Sequence, residues 1–79
     1  RETRESLDRR WRTSLREVIS EGVAAGDFAP ADAEAAVIRL ASLMDGLAIQ
    51  LALDDPDMTT QRLADLWWDA AILELRMPH

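Results

Sequence analysis

The stretch Asp32–Leu53, DAEAAVIRLASLMDGLAIQLAL, constrains this chain more than any other part of it. Asp32 can accept from the first free amides of a helix, and Glu34 falls in the first turn, where the helix dipole favours an acid. No proline interrupts the run, so about 21 helical residues would span roughly 32 Å. A step of about 100° per residue sorts the apolar side chains onto two faces. One carries Ala33, Ala36, Val37, Leu40, Met44, Leu47, Ala48 and Leu51. The other, nearly opposite, carries Ala35, Ile38, Ser42, Gly46, Ile49 and Leu53. Arg39 and Gln50 mark one polar edge between them, Glu34 and Asp45 the other. A helix on the surface of a monomer needs one apolar stripe. Two stripes predict burial on both sides, in a protein too small to provide that cover alone. The second face is rich in small residues, which suits close approach by a neighbouring helix. Gly46 costs about 1 kcal/mol against Ala in mid-helix. Tight backbone packing is the expected compensation, and a kink that shapes a pocket is the alternative.

Size sharpens that argument. Seventy-nine residues make one domain, and a chain this short hides only about 60% of the surface that it exposes when unfolded. It has no cysteine, hence no disulfide and no thiolate metal site. The remaining remedies are association or a further part of the chain. Because the sequence begins on Arg and in mid-pattern, it reads as a fragment of something longer. No apolar run reaches the roughly 18 residues of a membrane span, and nothing looks like a signal peptide, so the expected setting is cytoplasmic, with no membrane partner.

Charge is uneven. Residues 1–16 hold six Arg against Glu2, Glu5 and Asp8, a net of +3; the remainder holds three Arg against twelve acids, a net of −9, and together these make the −6 of the chain. An acidic body repels polyanions, so this domain is not expected to grip DNA itself. The basic start reads as a solvated helix face, since Arg4/Asp8, Glu5/Arg9 and Asp8/Arg12 are four apart and can pair.

In chain order, residues 2–25 read as a first helix, with Leu7, Trp11, Leu15, Val18 and Gly22 in one stripe and Ile19 and Val23 beside it. Gly26 is its expected left-handed cap, Phe28 an anchor dropped onto the core, and Pro30 a stop. After the central helix, Asp54-Asp55-Pro56-Asp57 has the acids of a calcium loop without the spacing: there is no glycine at the sixth place from Asp55, and the twelfth is Leu66. Turn chemistry explains the run. Thr59 is the expected cap of a third helix, about Thr60 to Arg76. Its polar arc is narrow, and Glu74 falls inside the apolar one, where it needs a partner or an exit to water. Trp67 and Trp68 point about 100° apart, so one is expected to pack inside the protomer and the other between protomers. Met77-Pro78-His79 reads as a frayed tail.

Catalytic patterns are sparse. The only histidine is the last residue, which excludes a nucleophile–His–acid arrangement and His/Cys metal sites. No glycine-rich loop could cradle phosphate. No cofactor is expected. Asp45 is expected to salt-bridge a neighbouring Arg. Small helical chorismate mutases offer the one enzymatic comparison, but they hold a dianionic substrate with several cations inside the bundle. Here only Arg39 lies mid-bundle, so the chain is not expected to be an enzyme.

The string Glu21-Gly22-Val23-Ala24-Ala25-Gly26-Asp27-Phe28, then Asp32-Ala33-Glu34, then Leu43-Met44-Asp45-Gly46-Leu47, resembles the C-terminal region of TetR-family transcriptional regulators. The order helix, Gly-x-Phe, helix, Asp-Gly-Leu, turn, helix holds over about residues 10–76. The resemblance implies an all-α, three-helix part of a TetR-like regulator that dimerises through a four-helix bundle, residues 1–79 being its effector-binding and dimerisation domain. It implies DNA binding only through an N-terminal helix-turn-helix that these residues do not include. Trp11, Leu15, Val18, Phe28, Leu40, Met44 and Leu47 are the candidates for lining an effector cavity. They suit a small apolar or aromatic effector, since no charge lies on the larger apolar face of the central helix. The candidates for meeting a second copy, in a homodimer, are Ile38, Ser42, Gly46, Ile49, Leu53, Leu63, Leu66, Trp67, Ala70 and Leu73. A stand-alone helical dimerisation adaptor is the other function that this pattern would serve.

Overall fold

A computed structural model describes residues 4–77, with side chains from residue 9 onward. These residues form three helices, α1 (Arg4–Ala25), α2 (Ala33–Ala52) and α3 (Thr60–Leu75), and no strand, so the fold is all-α. Leu7 and the three Arg–acid pairs read at the start of α1 fall outside the described side chains.

Each helix ends where local chemistry stops it. Gly26 adopts φ +84°, which glycine tolerates without strain, and the amides of Asp27 and Phe28 turn back to the Gly22 carbonyl at 2.8 and 3.2 Å. Asp32 Oδ1 accepts from the Ala35 amide at 3.1 Å and opens α2. Asp55 Oδ1 accepts from the Asp57 amide at 2.9 Å, so the acids after α2 build a turn. Thr59 Oγ1 accepts from the Arg62 amide at 3.0 Å and opens α3. Arg76 closes α3 in the left-handed conformation, φ 53°. That turn brings the Met77 amide within 3.2 Å of the Ile72 carbonyl and folds the Met77 side chain back against the core. Met77 is therefore part of the packed structure rather than of a frayed tail, and Pro78 and His79 lie outside the described residues.

Both α1 and α3 pack on α2 and not on each other. The result is a slab of 38 × 34 × 15 Å, less than half as thick as it is wide. Its radius of gyration is 13.5 Å, where a compact domain of this length would have about 11.6 Å. The core runs along the two seams. Leu15 and Ile19 of α1 and Ala71 and Leu75 of α3 close on Ala36, Val37, Leu40 and Ala41 of α2, with Trp11, Phe28, Trp67, Ala70 and Met77 packed against them. Phe28 lies directly over Gly22, where an added Cβ would sit 2.1 Å from the ring. The next amide, of Ala29, donates to the Leu75 carbonyl at 2.8 Å and ties the connection to the end of α3.

Polar contacts set the register of the two seams. Arg16 grips Glu34 with two nitrogens, at 2.7 and 2.9 Å, across α1 and α2. Arg39 Nε donates to Glu74 Oε1 at 2.6 Å across α2 and α3, which supplies the partner that Glu74 needs inside its apolar arc. Trp67 Nε1 donates to the Leu40 carbonyl at 3.0 Å. Asp45 departs from expectation: it is half-buried and pairs with no arginine among the described residues. The reason is positional. Arg39 leaves α2 on the opposite edge and is already held by Glu74, and Arg16 is held by Glu34.

One further reading needs correction. By length and composition α2 is apolar enough to cross a membrane, with a mean hydropathy of 1.5 over its best window. Counting uninterrupted apolar residues passed over it, because Glu34, Arg39 and Asp45 break the run. The central helix of a helical layer meets the same criterion, and here Glu34 and Arg39 are both engaged in ion pairs with flanking helices.

Candidate functional site

The two ion pairs locate the neighbours of α2. Arg16–Glu34 puts α1 on its acidic edge, and Arg39–Glu74 puts α3 on the opposite edge. Both flanking helices thus cover the larger apolar face of α2, and the smaller face is left open between the edges. Exposure follows that geometry. Val37, Leu40 and Ala41 are each 1% exposed, whereas Ile38 is 46%, Ile49 43% and Leu53 76% exposed. Ser42 and Gly46 are exposed between them. Inside this chain neither explanation for Gly46 applies: a Cβ there would meet nothing within 4 Å, and α2 runs unbroken through it.

The same side of the slab continues onto α3. Leu73, beside Glu74, is 77% exposed, Leu63 and Leu66 are half-buried, and Ala70 packs against the core instead. Trp67 does not belong with them. Its indole is turned inward onto Leu40, and the outward tryptophan is Trp68, 54% exposed, with its ring perpendicular to that of Trp67 at 5.4 Å between centroids. Residues that differ by one on a helix differ in direction by about 100°, which told the two apart without telling which faced in. The hydrogen bond to the Leu40 carbonyl decides it.

On the opposite side, α1 and α3 close over the larger face of α2, and the core lies between them. Four of the seven effector candidates meet there: Leu15 and Leu40 in the core cluster, Trp11 and Phe28 packed against it. Met44 and Leu47 follow along α2, half-buried and buried respectively. Val18 is 57% exposed and does not join them; Ile19, one position on and 1% exposed, takes the inward place. By spacing alone Val18 lies at least as near the centre of the stripe through Trp11, Leu15 and Gly22, so the position of α2 and not the helix period puts Ile19 inward. Trp11 supplies the one polar donor of the set, and its Nε1 is sealed from water with no acceptor among the described residues, as is Nε of the adjacent Arg12. An unpaired buried donor of this kind costs about 1–3 kcal/mol, which an acceptor brought to it would recover.

A shallow groove of about 250 Å³ opens between the start of α2 and the end of α3, lined by Ala31, Asp32, Arg39, Leu73, Glu74 and Arg76. Its charged lining includes none of the seven effector candidates. Electrostatics elsewhere are mild. The hydrogen bond from Arg16, more than charge proximity, holds the Glu34 carboxyl below its ordinary value and raises the Arg16 guanidinium. Among the described residues no group of three or more His, Asp or Glu is placed to hold a metal ion.

Comparison with known families matches residues 1–72 to the family described as BetI-type transcriptional repressor, C-terminal. No curated protein and no solved structure matches the chain.

Proposed function

The chain belongs to the BetI-type, TetR-family group of transcriptional regulator C-terminal domains, and from that premise we propose that it is the effector-sensing and dimerisation part of a one-component repressor. The observation that carries this reading is that the two faces of α2 are differently built, one covered by α1 and α3 and the other open. The covered side gathers Trp11, Leu15, Phe28 and Leu40 around α2, and this apolar set suits a mainly apolar or aromatic effector. The open side of α2 and α3 suits a second copy, two helices from each chain making a four-helix contact. DNA would be bound through a helix-turn-helix outside these 79 residues, in the cytoplasm. An effector shifts such a regulator only if it binds the DNA-free arrangement better than the DNA-bound one. An enzymatic reading on the mutase pattern finds little support, because Arg39 is already held by Glu74.

The test is a thermal-shift screen of apolar and aromatic small molecules, with tryptophan fluorescence as a second readout. A true effector raises the unfolding midpoint of the wild type, and Trp11→Ala abolishes that shift while the helical signal persists. A panel with no stabilising member, on a protein that still self-associates, leaves the dimerisation adaptor as the function and overturns the sensor.

A further inference from the structure

The dimer reading above leaves open where two copies meet, and Gly46 supplies an answer. Glycine in mid-helix is about 1 kcal/mol worse than alanine. Nothing among the described residues offsets that. Gly46 is not in a left-handed conformation, since among the described glycines only Gly26 has positive φ. It neither ends nor breaks α2, and a Cβ at the position would find open space. Gly22 makes the contrast, because there the missing Cβ is filled by the Phe28 ring.

Three features of the surroundings name the occupant. The open stripe carries large apolar side chains on both sides of the glycine, Ile38 at 46% and Ile49 at 43% exposure, with Leu53 at 76% beyond. Its own residues, Ile38, Ser42, Gly46, Ile49 and Leu53, bear no charge. A chain of net charge −6 can therefore meet its own copy there without setting like charges together. The chain exposes 5680 Å², where a compact monomer of this mass would expose about 4,800 Å². The excess is of the order of the about 800 Å² that each partner contributes to a stable interface.

We propose that a helix of a second copy of this chain crosses α2 at Ser42 and Gly46, and that Gly46 is glycine so that the two backbones approach closely. The proposal rests on the dimer reading and adds the crossing point to it. It has an unusual consequence: the smallest possible substitution acts in opposite directions on folding and on association. Gly46→Ala favours the helix, by about fivefold in the folding equilibrium of a single chain. The same methyl group is wedged between two backbones in the dimer and raises the dissociation constant by about tenfold.

Sedimentation equilibrium over a micromolar concentration series, with urea unfolding of dilute samples, reads both effects. Wild type is expected as a dimer. Gly46→Ala is expected to unfold at higher urea when dilute and yet dissociate about tenfold more readily, and Gly46→Leu to dissociate further with its helical signal unchanged. If the wild type is dimeric and both variants associate as tightly as it does, the crossing point is wrong while the dimer stands. A wild type that sediments as a monomer throughout overturns the dimer reading and the crossing together.

Discussion

The inner and outer sides of α2 are made from nearly the same residues and have opposite fates. Ala36, Val37, Leu40 and Ala41 are at most 1% exposed, and Ile38 and Ile49, on the same helix, with Leu53, which caps it, are 43–76% exposed. The difference lies in where the connections deliver the neighbours. Phe28, seated on Gly22, and the bond from the Ala29 amide to the Leu75 carbonyl draw the ends of α1 and α3 to one side of α2. Arg16–Glu34 and Arg39–Glu74 then mark how far round each flanking helix reaches. Apolar composition says that a surface is available for packing. It does not say which packing partner the chain itself can bring.

The sharpest way to break this comparison is to truncate one leucine on each side. Leu40→Ala, at a site 1% exposed, is expected to lower folding stability by about 2–5 kcal/mol in urea unfolding. Leu53→Ser, at 76% exposure, is expected to change the folding of a dilute chain by less than about 0.5 kcal/mol. Equal losses at the two positions would mean that the outer side is covered within the chain after all.

A smaller effect comes from the glycine that the chain does explain. Gly22→Ala places a Cβ 2.1 and 2.2 Å from two atoms of the Phe28 ring, so the ring must leave its seat. The expected loss is about 1–3 kcal/mol from overpacking, against a helix-propensity gain of about 1 kcal/mol. Repeating the substitution in a Phe28→Ala background should turn the loss into a gain. If it does not, Phe28 is not what makes position 22 a glycine.

The smallest effect concerns the α1 edge. The hydrogen bond from Arg16 holds the Glu34 carboxyl below its ordinary 4.5. A depressed folded-state value gives a contribution that is complete above pH 4.5 and fades as pH falls through the folded-state value. Both partners are well exposed, so the contribution is slight and is screened by salt. Acid titration of stability in wild type and Glu34→Gln should show the two curves converging at low pH. Divergence as the pH falls would have the wrong sign for this pair.

Much of this was readable in the residues. Asp32, Thr59 and Gly26 punctuate the chain by local chemistry, and each lies one residue outside a helix boundary, while Pro56 falls in the middle of the second connection. Periodicity separated the two sides of α2 correctly and gathered Trp11, Leu15, Phe28 and Leu40 into one set. It failed where two neighbours compete for one inward position. Val18 and Ile19, and Trp67 and Trp68, are equivalent in hydrophobicity, and only the arrival of a partner chooses between them. Asp45 was misread for a related reason: charge spacing shows which pairs are possible on one helix, and Arg16 and Arg39 are held by acids elsewhere, Glu34 and Glu74.

The amino-acid order alone determined three helices, their caps and a central segment with more apolar surface than one stripe, because these follow from forces acting over one or two turns. Tertiary structure alone decided which side of α2 is filled, which tryptophan faces in, and that Gly46 answers to nothing within its own chain. Those outcomes depend on contacts between residues far apart in sequence, such as Trp67 with Leu40 and Arg39 with Glu74. No local pattern encodes the angle at which two helices leave their turns.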